Sequence, residues 1–261
     1  MQSPMSAKSA IIAALSWLPT PTKNAIFHLA FNLAPERFRE FAYKYAYAPD
    51  MKFGLSLLRD RGFLPKTVID VGAFEGGWSL LAKQAWPTSN IIMIEPNPSE
   101  TLQAVAKQLA ASVYSCLLGA TDDAEVTFYS MRNGSSVFQE RSPVPRVTEM
   151  RKLRRLDSLR LAVQSPILLK LDTQGYELEI LKGGLELLKR CDAVLLEASL
   201  IEINESAPLL HDVLGFMSEK GFIAYDIVEF HRRPLDRALN QIDLIFLKRD
   251  CELLSDKRHF A

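Results

Sequence analysis

Four carboxylates stand where a mostly apolar run gives way to a polar one: Asp70 after Val68-Ile69, Glu95 after Ile91-Ile92-Met93-Ile94, Asp172 after Leu168-Leu169-Lys170-Leu171, and Glu197 after Val194-Leu195-Leu196. Apolar runs this short, bounded by turn residues, read as buried strands. In an open α/β sheet, ligands bind beyond the C-terminal ends of the strands. One acid there is an ordinary helix cap. Four exceed what capping needs and mark a site that accepts hydrogen bonds, holds cations or moves protons.

The loop after Asp70 narrows the ligand. It runs Gly72-Ala73-Phe74-Glu75-Gly76-Gly77. A dinucleotide loop needs G-x-G-x-x-G so that a pyrophosphate can approach; that spacing is absent, and Glu75 would repel the phosphates. The chain also lacks a P-loop lysine. An acid before a small-residue loop suits a ligand with an ammonium group and no phosphate, namely S-adenosylmethionine. On this reading Asp70 holds the methionine end directly or through water, Gly72 leaves room for the cofactor, and Glu95 accepts from the ribose hydroxyls. Ala73, Phe74, Gly76, Pro96, Asn97 and Asp172 complete the expected cofactor contacts.

These residues must be positioned by alternating strands and helices. Strands are expected over 68–71, 90–95, 112–118, 166–171 and 192–196, with helices over 78–86, 99–111, 176–181 and 207–220 between them. That order makes a parallel sheet covered on both faces. Runs over 222–228 and 241–247 close it as an antiparallel pair at one edge. The expected fold is therefore α/β and Rossmann-like: a mostly parallel seven-stranded sheet over residues 63–250. A tail covers 251–261 and a helical extension or cap covers 1–62. In that extension, helices are read at 9–18, 22–33, from Pro35 through Phe38, Phe41, Tyr43, Tyr45 and Tyr47, and at 51–61 before Gly62. An extra strand is expected at 124–131, followed by the polar loop Arg132-Asn133-Gly134-Ser135-Ser136 with Pro143 and Pro145 beyond it. Long loops inside a compact domain are often functional, and Ser135 and Ser136 are candidates to bind acceptor or cofactor.

Composition excludes several classes. Lys plus Arg number 31 and Asp plus Glu 31, so no net field points to nucleic acid. The basic residues between Arg132 and Arg160 read as a solvated face or as a patch for an anionic partner. Cys116, Cys191 and Cys251 lack metal or disulfide spacing and fit a reducing, cytoplasmic setting. The apolar stretch 9–18 is too short to span a bilayer, and it lacks the flanks of a signal peptide.

With these residues in view, Asp70-Val-Gly-Ala-Phe-Glu-Gly-Gly-Trp-Ser resembles motif I of class I methyltransferases. The run from Leu169 to Gly183, LKLDTQGYELEILKG, resembles the K-x-D-x-E-G-x-E-x-x-V-L-K-G signature of the FkbM family. Ile91 to Asn97 and Val194 to Glu197 match the family's strands, so the resemblance covers about 54–248. Two departures stand out: Phe74 where asparagine is common, and Gln174 where the family has glutamate.

The resemblance implies S-adenosylmethionine-dependent methyl transfer, commonly to an oxygen of a sugar or other natural product. Such a transfer asks the protein to hold the acceptor within roughly 3–3.5 Å of the methyl carbon and to help a weak hydroxyl nucleophile lose its proton. Asp172 is the first candidate base, its alternative role being to hold the cofactor's amino group. Asp172, Glu177 and Glu197 form a candidate magnesium set; otherwise Glu177 is a helix-surface salt bridge and Glu197 a cap. Glu197 and His231 are further catalytic candidates. Lys170 is read as the partner of a neighbouring acid. A small-molecule or saccharide acceptor is expected, with a homodimer through the N-terminal helices. The competing reading is a non-catalytic S-adenosylmethionine-binding module that docks a partner.

Overall fold

The computed structural model describes residues 49–131, 135–139 and 145–259, together with positions 22, 29, 33, 35–38 and 40. The helices expected over 9–18 and 22–33, the aromatics Phe41, Tyr43, Tyr45 and Tyr47, and His28 lie wholly or mostly outside the described residues. Glu36, Arg37, Phe38 and Glu40 are helical. The chain divides into two compact units, Met1–Ala48 and Pro49–Ala261.

The second unit opens with α1 (Met51–Asp60). The Asp50 side chain caps it by accepting from Phe53 N, and it ends before Gly62, whose φ of +103° suits a residue without a Cβ. The alternation then follows: β1 (Thr67–Val71), α2 (Gly77–Ala85), β2 (Asn90–Ile94), α3 (Glu100–Leu109) and β3 (Ser112–Tyr114). Next come β4 (Leu117–Leu118), β5 (Glu125–Ser130) and β6 (Val147–Arg154). The rest is β7 (Ile167–Leu171), α4 (Glu177–Lys182), α5 (Leu185–Arg190), β8 (Ala193–Ser199), α6 (Leu210–Glu219), β9 (Phe222–Arg232) and β10 (Leu239–Lys248). The main sheet has the order β3-β2-β1-β7-β8-β10-β9. β1, β2, β3, β7 and β8 are parallel, while β10 runs antiparallel to both β8 and β9. This is the expected Rossmann-like α/β sheet with an antiparallel edge pair.

Because side chains alternate along a strand, each strand contributes to two separate cores. Ile69, Val71, Leu169, Leu171, Val194 and Leu196 face one with α4, α5 and α6. Val68, Leu168, Ala193, Leu195, Ile245 and Leu247 face the other with α1, α2 and α3. The period of two carries Asp70, Lys170, Glu197 and Asp243 onto the second face, at its polar end.

The structure changes five elements. The expected strand 112–118 breaks in two: Glu95 N donates to Tyr114 O to end β3's pairing, and Leu117–Leu118 joins a separate sheet of order β4-β6-β5. Its central strand β6 was not expected, since it is exposed along most of its length and only Leu153 is buried. Helix α5 is also additional. Glu197 and His231 lie within β8 and β9, because both strands run past the apolar residues that announced them.

Gly183 sits where a Cβ would stand 2.0 Å from the Gly119 carbonyl oxygen, whereas a Cβ on Gly215, exposed inside α6, would meet nothing within 4 Å. Gly183→Ala is therefore expected to cost about 1–3 kcal/mol by overpacking. Gly215→Ala should stabilise by about 0.5–1 kcal/mol; denaturant unfolding of the two variants checks the opposite signs.

Candidate active site

Lys170 is the polar centre of the sheet. Its side chain is 5% exposed, and its ammonium lies 3.1 Å from Asp70 Oδ1, 3.5 Å from Asp172 Oδ2 and 3.2 Å from the Gly72 carbonyl oxygen to which it donates. Burial alone would drive this amine towards neutrality, but the charges of Asp70 and Asp172 outweigh it and hold the group as the cation. Asp70 pairs with Lys170 in strand register, and Ser79 Oγ donates to its Oδ2 at 2.7 Å. The expected pairing of Lys170 with a neighbouring acid is thus present. Asp70, fully buried, turns inward.

The loop beyond is shaped by close approach. Gly72 has φ +73°, and a Cβ there would stand 2.0 Å from the Asp172 carbonyl oxygen. Its missing side chain therefore admits the backbone of β7's end. Gly76, at φ +82°, lets α2 start tightly against Val105 of α3. Phe74 adopts φ +48° and is 44% exposed. Its N–H donates to Glu95 Oε2 at 3.0 Å, and Asn97 N donates to Oε1 at 3.0 Å. Both oxygens of Glu95 are thus fixed at the mouth of a cavity. Burial raises the Glu95 pKa, and these two backbone donors oppose the rise.

The cavity is lined by Gly72, Phe74, Glu95, Pro96, Ser135, Ser136 and Asp172, all expected site residues, together with Cys116, Phe128 and Tyr176 among the others. Ala73, which is buried, and Gly76 are not among its lining residues; their N–H groups donate to Ile94 O and Ala73 O, within the fold. Asn97 is exposed and drawn aside, accepting from Arg151 at 2.6 Å. The hydroxyl of Ser135 closes its own turn onto Met131, and that of Ser136 donates to the Gln174 carbonyl oxygen at 3.0 Å.

Gln174 links the cavity to a second cluster. At φ +56°, its Nε2 donates to Asp172 Oδ1 at 3.1 Å and to Glu197 Oε1 at 3.3 Å. Gln241 Nε2 also donates to Glu197 Oε1, at 2.5 Å. Burial first, then the charges of Asp172, Glu177 and Asp243, raises the Glu197 pKa well above the usual range. Glu197 and Asp243 are cross-strand partners, and His231 Nε2 lies 2.9 Å from Asp243 Oδ2. That bond and the surrounding acids raise the His231 pKa against the opposing effect of burial. Among the described residues, the acids and histidine whose ligating atoms come within 4.8 Å of one another are Glu197, His231 and Asp243.

Glu177 stands apart from that group. Its Oε1 accepts from Thr173 N at 2.6 Å, Thr173 Oγ1 at 3.0 Å and Gly175 N at 3.2 Å, which ties the 173–175 loop to α4. Gln241 and Asp243 were not singled out from sequence. The signal was their alternation in Gln241-Ile-Asp243-Leu, which puts two polar side chains on one face of an otherwise apolar strand. His211, exposed on α6, and His259 in the tail lie outside these clusters.

Residues 70–224, more than half of the chain, match the family model described as the methyltransferase FkbM domain. The chain belongs to the FkbM methyltransferase family. That family is one of S-adenosylmethionine-dependent methyltransferases, and the match spans β1 to the first residues of β9. Solved structures with a similar fold include an FkbM methyltransferase from Methylobacillus flagellatus, at 18% identity over 69% of this chain and 43% of that one, with a TM-score of 0.43. The FkbM chain described here thus spans less than half the length of that relative. Others are the magnesium protoporphyrin IX methyltransferase of Synechocystis, at 11% identity over 80% and 79% of the two chains and a TM-score of 0.42, and the 1,6-didemethyltoxoflavin N1-methyltransferase of Burkholderia thailandensis, at 11% identity over 96% and 94% and a TM-score of 0.43. No curated protein matches the chain.

Burial raises the Glu177 pKa from an ordinary 4.5 to about 7, more than its backbone donors lower it. The folded chain then binds this proton more tightly than the unfolded one, so its contribution makes stability fall as pH rises from 4.5 to about 7. Glu177→Gln keeps the acceptor oxygen without the charge and should remove that fall, by roughly 3 kcal/mol. Glu177→Ala should destabilise at every pH by orphaning the loop's donors. Denaturation midpoints taken across that pH range check both.

Proposed function

We propose that this chain is an S-adenosylmethionine-dependent O-methyltransferase acting on a hydroxyl of a saccharide or another small polar acceptor. The observation that carries the cofactor part is Glu95, whose two oxygens are fixed by backbone donors at the cavity mouth and keep lone pairs to accept from a diol. The cavity pairs apolar walls, among them Ile94, Leu118 and Phe128, with a few polar groups, as small-molecule sites do. Glu95, Gly72, Phe74 and Pro96 would hold the nucleoside, and Asp172 the amino group or the acceptor. When bound, S-adenosylmethionine supplies an already activated methyl group, so the chain's task is to position the acceptor and take its proton.

Asp172 is the group best placed for that proton. It lines the cavity at the end of β7, its side chain is 39% exposed, and Gln174 and Lys170 each steady one of its oxygens. A proton leaving the acceptor hydroxyl would pass to this carboxylate as the oxygen bonds to the methyl carbon and the carbon–sulfur bond breaks. Ser135 and Ser136 border the same cavity and would contact the acceptor through the loop they hold. No helix among the described residues is long and apolar enough to cross a membrane, and an acceptor met in the cytoplasm agrees with the cysteine usage.

Isothermal calorimetry with S-adenosylmethionine tests the reading. Binding is expected for the intact chain, and Glu95→Ala should weaken it about tenfold or more through loss of two hydrogen bonds to a charged acceptor. Absence of binding by the intact chain would end the proposal. Cofactor binding with no methyl transfer to any member of a panel of saccharide and natural-product hydroxyls would favour the partner-docking module instead.

A further inference from the structure

The cluster on β8, β9 and β10 is charged, buried and unused by the cofactor cavity. Glu197 is 8% and Asp243 6% exposed, and His231 stands half-open beside them. Asp172 is linked to this cluster through Gln174, and Glu229 lies opposite Asp243 in register. The buried cation nearest to them, Lys170, is already shared among Asp70, Asp172 and the Gly72 carbonyl. Acids therefore outnumber bases in a poorly solvated place, a cost relieved either by protonating an acid or by a cation that joins the cluster.

The geometry suits a metal ion. Two ligands side by side on an octahedral ion with bonds near 2.1 Å are about 3 Å apart, and His231 Nε2 and Asp243 Oδ2 are 2.9 Å apart. All three ligating atoms fall within 4.8 Å of one another, a little wider than the span of about 4.2 Å across one ion, so a small side-chain adjustment would bring them onto it. Independent support lies in the shell behind the acids. Gln174 and Gln241 both donate to the same oxygen of Glu197, Oε1, which fixes the carboxylate while Oε2 takes no hydrogen bond from any described residue. Amides that orient a carboxylate and leave one oxygen open are what a coordinated ligand requires.

We propose that Glu197, His231 and Asp243 form a divalent-cation site with open positions for acceptor oxygens. This set replaces Asp172 and Glu177 as the partners of Glu197, since the Asp172 oxygens are engaged by Lys170 and Gln174 and the Glu177 Oε1 by its own loop. Two carboxylates and one imidazole favour an ion that accepts both oxygen and nitrogen, and Mn2+ meets both requirements. Glu197 lies within the residues that match the family model, whereas His231, Gln241 and Asp243 lie beyond them on the edge hairpin. The ion rests on the cluster alone; its role in gripping an acceptor diol rests on the proposed O-methyl transfer.

The test uses the full chain and Mn2+ alone. Titration followed by electron paramagnetic resonance should show loss of the free-ion signal, saturating near one ion per chain. Asp243→Asn and His231→Ala should each weaken binding about tenfold or more, while Asp236→Asn, in an exposed pair with Arg233, leaves it unchanged. If either variant fails to fold, the intact chain still decides. Mn2+ at low occupancy should broaden the ring-proton resonances of His231 before those of His211 and His259. No signal loss with the intact chain, binding untouched by both cluster variants, or broadening that starts at another histidine would overturn the site. Calorimetry with S-adenosylmethionine in metal-free buffer reports on the reaction separately. Failed cofactor binding leaves the ion site standing, and failed Mn2+ binding leaves the cofactor reading standing.

Discussion

A buried lysine between two carboxylates sets the terms for the rest of this structure. Lys170 is almost wholly buried, so it must be surrounded by acceptors, and each is contributed by a different part of the fold: Asp70 by β1, Asp172 by the end of β7, and the Gly72 carbonyl by the loop between β1 and α2. Ion pairs of this kind add little to net stability relative to an apolar core, yet losing one partner is expensive. Their effect is to fix register. β1 and β7 cannot slip by one residue without separating Asp70 from Lys170. The same constraint brings the Gly72 loop against the Asp172 backbone, where only a glycine fits. The cavity mouth is thus shaped by a charge pair beneath it.

The lysine's reach also explains Gln174. One cation is shared between Asp70 and Asp172 and cannot neutralise both, so none of its charge is left over for Glu197 and Asp243. A third carboxylate at position 174, which the family signature would place there, would face Asp172 and Glu197 together at hydrogen-bond distance. Like charges so close raise each other's pKa and cannot all ionise. The amide avoids that conflict, since its Nε2 donates to both acids. It keeps the left-handed loop conformation that lets its own carbonyl accept from Ser136 and Asn204. The departure from the family pattern is thus accommodated locally, by exchanging a charge for two donated hydrogen bonds.

Much of this was legible in the sequence because it follows from strand periodicity. The runs ending at Asp70, Glu95 and Asp172 are short, apolar and bounded by turns, and each became a buried parallel strand with its acid at the C-terminal rim. β6 was illegible for the opposite reason. Val147–Arg154 buries one residue out of its whole length, so its hydrophobic pattern carries no signal, and only pairing with β5 and β4 makes it a strand. His231 was read as following a strand because Glu229 and Arg232 look like loop residues. Three irregularities in the pairing with β10 carry β9 on to Arg232. The cluster of Glu197, His231 and Asp243 joins residues from three strands, and no local spacing announces it.

Where those clusters fall on the sheet is itself informative. The cavity is walled by Val71, Ile94, Leu118 and Ile180, which belong to the core beneath α4 to α6. Lys170, Glu197 and Asp243 alternate with residues of that core and so point to the opposite face, alongside Leu168, Leu195 and Ile245. Two loops touch both faces: Gly72 lines the cavity while its carbonyl accepts from Lys170, and Asp172 and Gln174 of the 172–175 loop line it yet bond to Lys170 and Glu197. The buried Glu177 of α4 accepts from Thr173 and Gly175, which ties the 172–175 loop down as one bridge between the faces. On the proposed reading this bridge lets a cofactor held by family residues and an acceptor held by the edge hairpin meet in fixed geometry, as an in-line transfer requires.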